Sequence, residues 1–172
     1  VICVPGNGGT ATEKKCRNIS LSQGSYVEIA KKEGCSFTVI GPEDPLAEGL
    51  ADSFWEAGIP CVGPKSKGAQ LEASKDLAKD FMAKYNVACP ASKTFENETD
   101  AHNYIDQHGA AIVIKADGLA AGKGVVVAAT LSEAHKAVTE LLADGRVGEA
   151  GKKLVIEDHL EGVDISILAA AS

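Results

Sequence analysis

The chain has 172 residues, 45% hydrophobic and 24% charged, with 17 Lys and Arg against 24 Asp and Glu for a net charge of −7. That length buries a sizeable core without staples, and the balance of apolar to charged residues excludes a disordered chain. The acidic excess argues against a nucleic-acid binder, and the most apolar stretches, 110–114 and 125–129, fall far short of the roughly 20 residues of a membrane span.

Residues 1–4 form a short apolar run that stops at Pro5-Gly6 and reads as a strand. Residues 25–33 read as a helix ended by Gly34, and the β-branched run 36–40 as a strand ended by Gly41-Pro42. Leu46, Leu50, Phe54 and Ala57 recur at helical spacing, so 46–57 reads as one helix, followed by a strand at 60–62. Strands about 20 residues apart with helices between them imply βαβ units and a parallel, Rossmann-like sheet. Ligands bind at the carboxyl ends of such strands, which places the loops 5–10, 41–45 and 63–65 at the site.

The pattern changes after residue 70. An amphipathic helix over 71–85 carries Lys75, Lys79 and Lys84, and a second helix covers 99–108. A strand at 110–116 leads through a Gly-rich loop into a strand at 125–129. Then come a helix over 131–143, capped by Thr130 or Ser132, and strands at 153–157 and 163–171. This order predicts an α+β unit, with the domain boundary at residues 70/71. A first strand that begins at Val1 and a last one still running at Ala171 read as elements cut in mid-course, so the chain is expected to be a fragment.

Cys3, Cys16, Cys35, Cys61 and Cys89 contain no CxxC pair, and their odd number in apolar segments fits buried, reduced thiols of a cytoplasmic protein. His102, His108, His135 and His159 show no ligand spacing and read as surface or loop residues, so no metal ligand is expected.

Four segments have chemical potential. Val4-Pro5-Gly6-Asn7-Gly8-Gly9-Thr10-Ala11 matches a dinucleotide fingerprint only superficially. That reading needs a helix starting in the loop and an acidic residue at a strand end about 20 positions on. A plain loop, or one whose amides hold a sugar or phosphate, stays open. In Gly41-Pro42-Glu43-Asp44-Pro45-Leu46, Asp44 suits the cap of a helix that begins at Pro45, which leaves Glu43 free for a ligand. The segment Lys115-Ala116-Asp117-Gly118-Leu119-Ala120-Ala121-Gly122-Lys123-Gly124 is not a Walker A loop, because a β-branched run follows it instead of Ser or Thr and a helix. It reads as a flap between two strands, whose glycines let backbone fold over a polyphosphate while Lys123 and Lys115 supply charge. Finally, 154–164 reads as a strand, a linker whose backbone can pair with a base edge, and a carboxylate beyond it.

Together these segments resemble the glycinamide ribonucleotide synthetase family, ATP-grasp ligases of purine synthesis. The resemblance rests on PGNGGTA at 5–11, VIGPEDPL at 39–46, GAQLEASKDLAKDFM at 68–82, IVIKADGLAAGKGVVVA at 112–128 and VIEDHLEG at 155–162. It implies a substrate-binding domain over 1–70 that lacks its first strand and phosphate loop. It implies the nucleotide-binding first part of an ATP-grasp domain over 71–172. By the same resemblance, Lys79 and Lys115 contact ATP phosphates, with Lys75 as a neighbour. Gly118, Gly122, Lys123 and Gly124 belong to the flap. Glu157, Asp158, His159 and Leu160 form the adenine linker, and Asp164 holds the ribose. Gly6, Asn7, Thr10, Pro42 and Glu43 shape the phosphoribosylamine site. The family more often carries Glu at positions 158 and 164.

The implied reaction phosphorylates the glycine carboxylate with ATP and lets the amine of phosphoribosylamine displace the phosphate. Mg²⁺ ligands are expected beyond the end of this chain, and the fragment alone is expected to be inactive. The partners implied are small molecules, and some eukaryotic relatives are fused to further purine-pathway domains. Another ATP-grasp ligase or carboxylase, a non-catalytic nucleotide-binding module and a dinucleotide oxidoreductase are the competing readings.

Overall fold

A computed structural model describes residues 1–163 and 165–169, and the chain forms two compact units, Val1–Ala69 and Gln70–Ser172. No helix among the described residues is long and apolar enough to cross a membrane.

In the first unit, β1 (Ile2–Cys3) pairs in parallel with β2 (Arg17–Asn18), and β3 (Thr38–Val39) pairs in parallel with β4 (Cys61–Val62). These are two separate two-stranded sheets. The helices are α1 (Gly8–Thr12), α2 (Tyr26–Lys32), α3 (Glu43–Ala47) and α4 (Leu50–Glu56). Ser25 caps α2, and Glu28 bonds back to the Ser25 amide, a reciprocal capping box. The helix expected over 46–57 is two helices, because Gly49 takes φ +90° between them. Asp44 does not act as the cap. Pro42 holds that position without a side-chain bond, and Glu43 and Asp44 both lie in the first turn of α3. The core gathers Ala30, Leu46, Ala51, Phe54, Ile59, Cys61 and Ala69. Beside it, an apolar cavity of about 640 Å³ is lined by β1 and β3 together with Tyr26, Ile29, Leu50 and Phe54.

Helix α5 (Ser66–Ala73) precedes α6 (Lys75–Lys84). The single helix expected over 71–85 is interrupted at Ser74, whose extended backbone and hydroxyl cap α6 through the Leu77 amide. The second unit is built on one four-stranded antiparallel sheet in the order β5-β8-β6-β7. Its strands are β5 (Ser92–Phe95), β6 (Ile112–Ala116), β7 (Val125–Ala128) and β8 (Leu154–Asp158). Helices α7 (Glu98–His108) and α8 (Leu131–Val138) pack with one face of it, and the last turn of α8 widens into a π turn over Thr139–Ala143. The core on that face contains Phe95, Ile112, Ile114, Ala128, Leu154 and Ile156 from the strands and Ala101, Ile105, Ala134, Val138 and Leu141 from the helical side.

Two further expectations are corrected. Val163, Ile165, Ile167 and Leu168 do not form a strand; they are exposed and in no regular element, without a neighbouring strand to take their backbone groups. Of the surface and loop readings for His102 and His135 the loop one fails: both stand on helices, partly exposed, and meet between α7 and α8 with their Nδ1 atoms 2.7 Å apart, flanked by Glu98 and Asp106. Of the five free cysteines only Cys61 is buried, and Cys89 is exposed.

Candidate functional site

Strand pairing decides which residues of the second unit share a face. Ile112 and Ile114 point to the core, so Val113 and Lys115 point to the other side. Val113 sits opposite Glu157, and Lys115 opposite Val155. Lys115 and Glu157 are therefore diagonal neighbours on the face away from α7 and α8. Lys79 reaches the same carboxylate from α6. Its Nζ lies 2.6 Å from Glu157 Oε2, while Lys115 Nζ pairs with Oε1. Lys79 also donates to the Pro90 carbonyl at 2.9 Å.

Glu157 is the one buried charged residue among those described, at 5% exposure. An unpaired carboxylate at that depth would be costly, and two lysines offset the lost hydration. Burial pushes its carboxyl up, but the bonds and charges of Lys115 and Lys79 outweigh burial and hold it below the ordinary glutamate range. The triangle is thus a pair of ammonium groups with an internal counter-ion. Beside it on the same face, Val125 and Val127 of β7 leave apolar surface exposed. Such a surface can take a phosphate on the lysines and a flat ring on the valines.

The glycine-rich connection between β6 and β7 has a fixed root and an exposed tip. At Gly118 a side chain would meet Ala150 Cα at 2.8 Å, and at Gly124 one would meet Ala120 Cβ at 2.8 Å, so backbone packs closely at both ends. At the tip, the Lys123 amide donates to the Ala120 carbonyl at 2.9 Å, and the two residues inside that turn, Ala121 and Gly122, both have positive φ. Ala121, Gly122 and Lys123 are exposed.

The other expected nucleotide residues are dispersed. Asp158 lies on the core side, where His108 Nε2 is 3.0 Å from Oδ1, so its carboxylate does not join the lysine triangle. His159 and Leu160 follow β8 as exposed, irregular chain, and Asp164 lies outside the described residues. Lys75, the expected neighbour of the phosphate lysines, faces the root of the glycine-rich loop. Its Nζ donates to the carbonyls of Asp117 and Gly118, each at 3.2 Å. Burial pulls its ammonium down, against the opposite pull of Asp117 and Glu72. A polar cavity of about 650 Å³ opens elsewhere in this unit, lined by Lys93, Asn97, Tyr104 and Lys153 among others, and none of the expected nucleotide residues lines it.

In the first unit, a helix does start inside the 5–11 loop, as the dinucleotide reading requires, but α1 is only five residues long. Asn7 and Thr10 spend their side chains locally. Asn7 Oδ1 accepts from the Thr10 amide at 3.0 Å, and Thr10 Oγ1 accepts from the Asn7 amide at 2.8 Å. Asn18, which sequence reasoning missed, completes the knot. Thr10 Oγ1 donates to its Oδ1 at 2.8 Å, and its Nδ2 donates to the Asn7 carbonyl at 3.0 Å. Gly6 is required there, since φ is +79° and a side chain would overlap Asn18. Val4 and Pro42 line the apolar cavity, whereas Gly6, Asn7, Thr10 and Glu43 stand outside that lining. Among the described residues, no three His, Cys, Asp or Glu side chains gather into a group that could hold a metal ion.

Comparison with known proteins matches both halves. The family described as "Phosphoribosylglycinamide synthetase, N domain" matches residues 1–72, and "Phosphoribosylglycinamide synthetase, ATP-grasp (A) domain" matches residues 73–172. A phosphoribosylamine--glycine ligase from Neisseria meningitidis is 53% identical over 169 residues, covering 98% of this chain and 40% of the relative. The crystal structure of phosphoribosylamine--glycine ligase from Thermotoga maritima superposes with a TM-score of 0.73 at 27% identity, over 94% of this chain and 38% of that one. The biotin carboxylase domain of a 2-oxoglutarate carboxylase from Hydrogenobacter thermophilus, solved with MgADP, shares the fold at TM-score 0.71 and 20% identity, over 93% of this chain and 39% of that one. The chain spans about two fifths of the length of the curated relatives it matches.

Proposed function

The chain belongs to the phosphoribosylglycinamide synthetase family, and we propose that it supplies the nucleotide-phosphate side of a cytoplasmic ligase that joins glycine to 5-phosphoribosylamine, with ATP converted to ADP and phosphate. The observation that carries this reading is the Lys79–Glu157–Lys115 triangle beside a glycine-rich loop. ATP phosphates replace Glu157 as partners of the two ammonium groups, and the 118–124 loop covers them and excludes water from an acyl phosphate. The backbone of residues 157–160 faces the base. Amine attack on an acyl phosphate needs no side-chain nucleophile, so no residue here is assigned as catalytic.

We assign residues 1–70 to the substrate-binding domain, where Gly6, Asn7 and Thr10 act through loop shape, and Pro42 and Glu43 border the ribose phosphate. The cavity between β1 and β3 supports a first strand supplied by residues outside this chain, because both strands line it. Residues 71–172 are the nucleotide-binding part of the ATP-grasp domain. Mg²⁺ would be held by residues beyond this chain together with the ATP phosphates, where it would neutralise their charge.

The test is ATP titration by calorimetry on the chain and on Lys79→Met and Lys115→Met variants. Loss of one charge-assisted phosphate contact predicts a fall in affinity of about tenfold or more per variant. In the whole protein, ADP release that requires both glycine and phosphoribosylamine supports the ligase. ADP release that requires bicarbonate instead overturns it in favour of a carboxylase.

A further inference from the structure

Asp117 lies between the strand that carries Lys115 and the glycine-rich loop, and nearly every polar atom it has is engaged. Its carboxylate accepts from Ser74 Oγ at 3.1 and 3.2 Å and from the Asp76 amide at 2.8 Å. These donors are the cap and first turn of α6, whose free amides attract an anion. Its carbonyl accepts from both the amide and the ammonium of Lys75, each at 3.2 Å. Its own amide donates to the Lys153 carbonyl at 2.9 Å, and the next amide, of Gly118, donates to the Ala150 carbonyl at 3.2 Å. One residue therefore ties the end of β6, the start of α6 and the chain at 150–153.

The two ends of this tie carry the two phosphate lysines. Lys79 is one helical turn beyond Lys75, and Lys115 is two residues before Asp117. Resting on the nucleotide reading above, we propose that Asp117 and Lys75 are positioning residues. They pin the root of the 117–124 loop to the N-terminus of α6, and so set the spacing of Lys79 and Lys115 and leave only the loop tip free to move. Lys75 is a brace and not a phosphate ligand. Its ammonium is half-buried and committed to two backbone carbonyls that belong to the loop root. The sequence places three lysines near the phosphates, and the structure sorts them into two that present charge and one that holds the frame.

The loop contains its own reporter, since trypsin cleaves after Lys123, which is exposed at the tip. The chain, Lys75→Met, Lys75→Arg, Asp117→Asn and the milder Ser74→Ala are compared by tryptic nicking after Lys123, by hydrogen exchange of the 118–124 amides and by ATP titration. Losing one or two of these bonds raises local opening about tenfold, so nicking and exchange in Lys75→Met and Asp117→Asn rise by about that factor. Lys75→Arg, which can still reach the carbonyls, restores slow nicking, and Ser74→Ala gives a smaller rise that keeps the test open if a stronger variant fails to fold. Unchanged nicking and exchange in Lys75→Met, with ATP affinity lowered, overturns the proposal and makes Lys75 a direct ligand. Failure of the whole protein to release ADP from ATP with glycine and phosphoribosylamine counts against the nucleotide reading, while the nicking rates still decide the brace.

Discussion

Within this chain the two units close their cores to different extents. In the second, β8 lies between β5 and β6, and β6 lies between β8 and β7, so both central strands are paired on both edges. All of the largest fully buried side chains, from Ile105 to Ile156, belong to this unit. In the first, each of four two-residue strands has one partner. Val39, Phe37 and Val62 are about 60% exposed, and a cavity stands where a packed interior is expected. Two-residue strands with one partner each leave this core open, which fits the proposal that a further strand outside this chain packs in the cavity, whereas a four-stranded sheet with helices on one face closes its own. The lesson concerns function as well: the second unit holds its lysine triangle on a closed sheet-and-helix core, and the first holds a loop shaped by its own hydrogen bonds and those of Asn18.

The largest effect that tests this contrast is core truncation. Ile156→Ala removes a fully buried side chain and is expected to cost about 2–5 kcal/mol in urea unfolding. Val39→Ala, at a position 63% exposed, is expected to cost about 0.5 kcal/mol or less. Similar costs at the two positions would break the contrast.

Acid comes next. Asp76 is held below the ordinary aspartate range by bonds from Thr94 Oγ1 and Lys153 Nζ, and Glu157 below the glutamate range by its lysines. For a carboxyl lowered in the native state, the stabilisation is fully present above the unfolded value and is lost as pH falls through the native one. The second unit is therefore expected to keep its acid stabilisation at neutral pH and lose it below about pH 4.5, the ordinary glutamate value. In the first unit Asp52 is lowered chiefly by the Ser66 amide, at 2.7 Å, without a lysine in direct contact. Amide exchange followed per unit during an acid titration measures both; a second unit indifferent to pH between 5 and 3 would remove the ion pairs from the account.

The smallest effect sharpens the picture of the loop tip. Ala121 has φ +46°, which a residue with a Cβ adopts at a cost, and Asn tolerates that region better. Ala121→Asn is expected to raise stability by about 0.5 kcal/mol or less and to slow nicking after Lys123. Faster nicking would show that the turn is not held by these dihedrals.

Much of the fold was legible in the residues because local rules were strong. Ser25 and Glu28 mark the start of α2 by a reciprocal cap, and the β-branched run 125–128 marks β7. The elements missed had weak local signals. Ser92–Phe95 is a polar edge strand, Arg17–Asn18 is a two-residue strand, and Gly49 and Ser74 divide helices whose apolar spacing continues through them. The strand expected at 163–171 failed among its described residues for the opposite reason, since β-rich composition makes no strand without a neighbour to pair with.

The same division holds for the site. By itself the sequence determined the family resemblance, the alternation of strands and helices in its strongly patterned segments and the loop rich in glycine and lysine, because these depend on residue types at fixed spacing. Only the tertiary structure decided that Glu157 is the counter-ion of Lys79 and Lys115, that Asp158 turns to His108, and that Lys75 spends its charge on the loop root. Those outcomes depend on strand register and on which donors a fold brings within about 3 Å of a buried acceptor, and hydrogen-bond satisfaction at that range is a property of the packed chain.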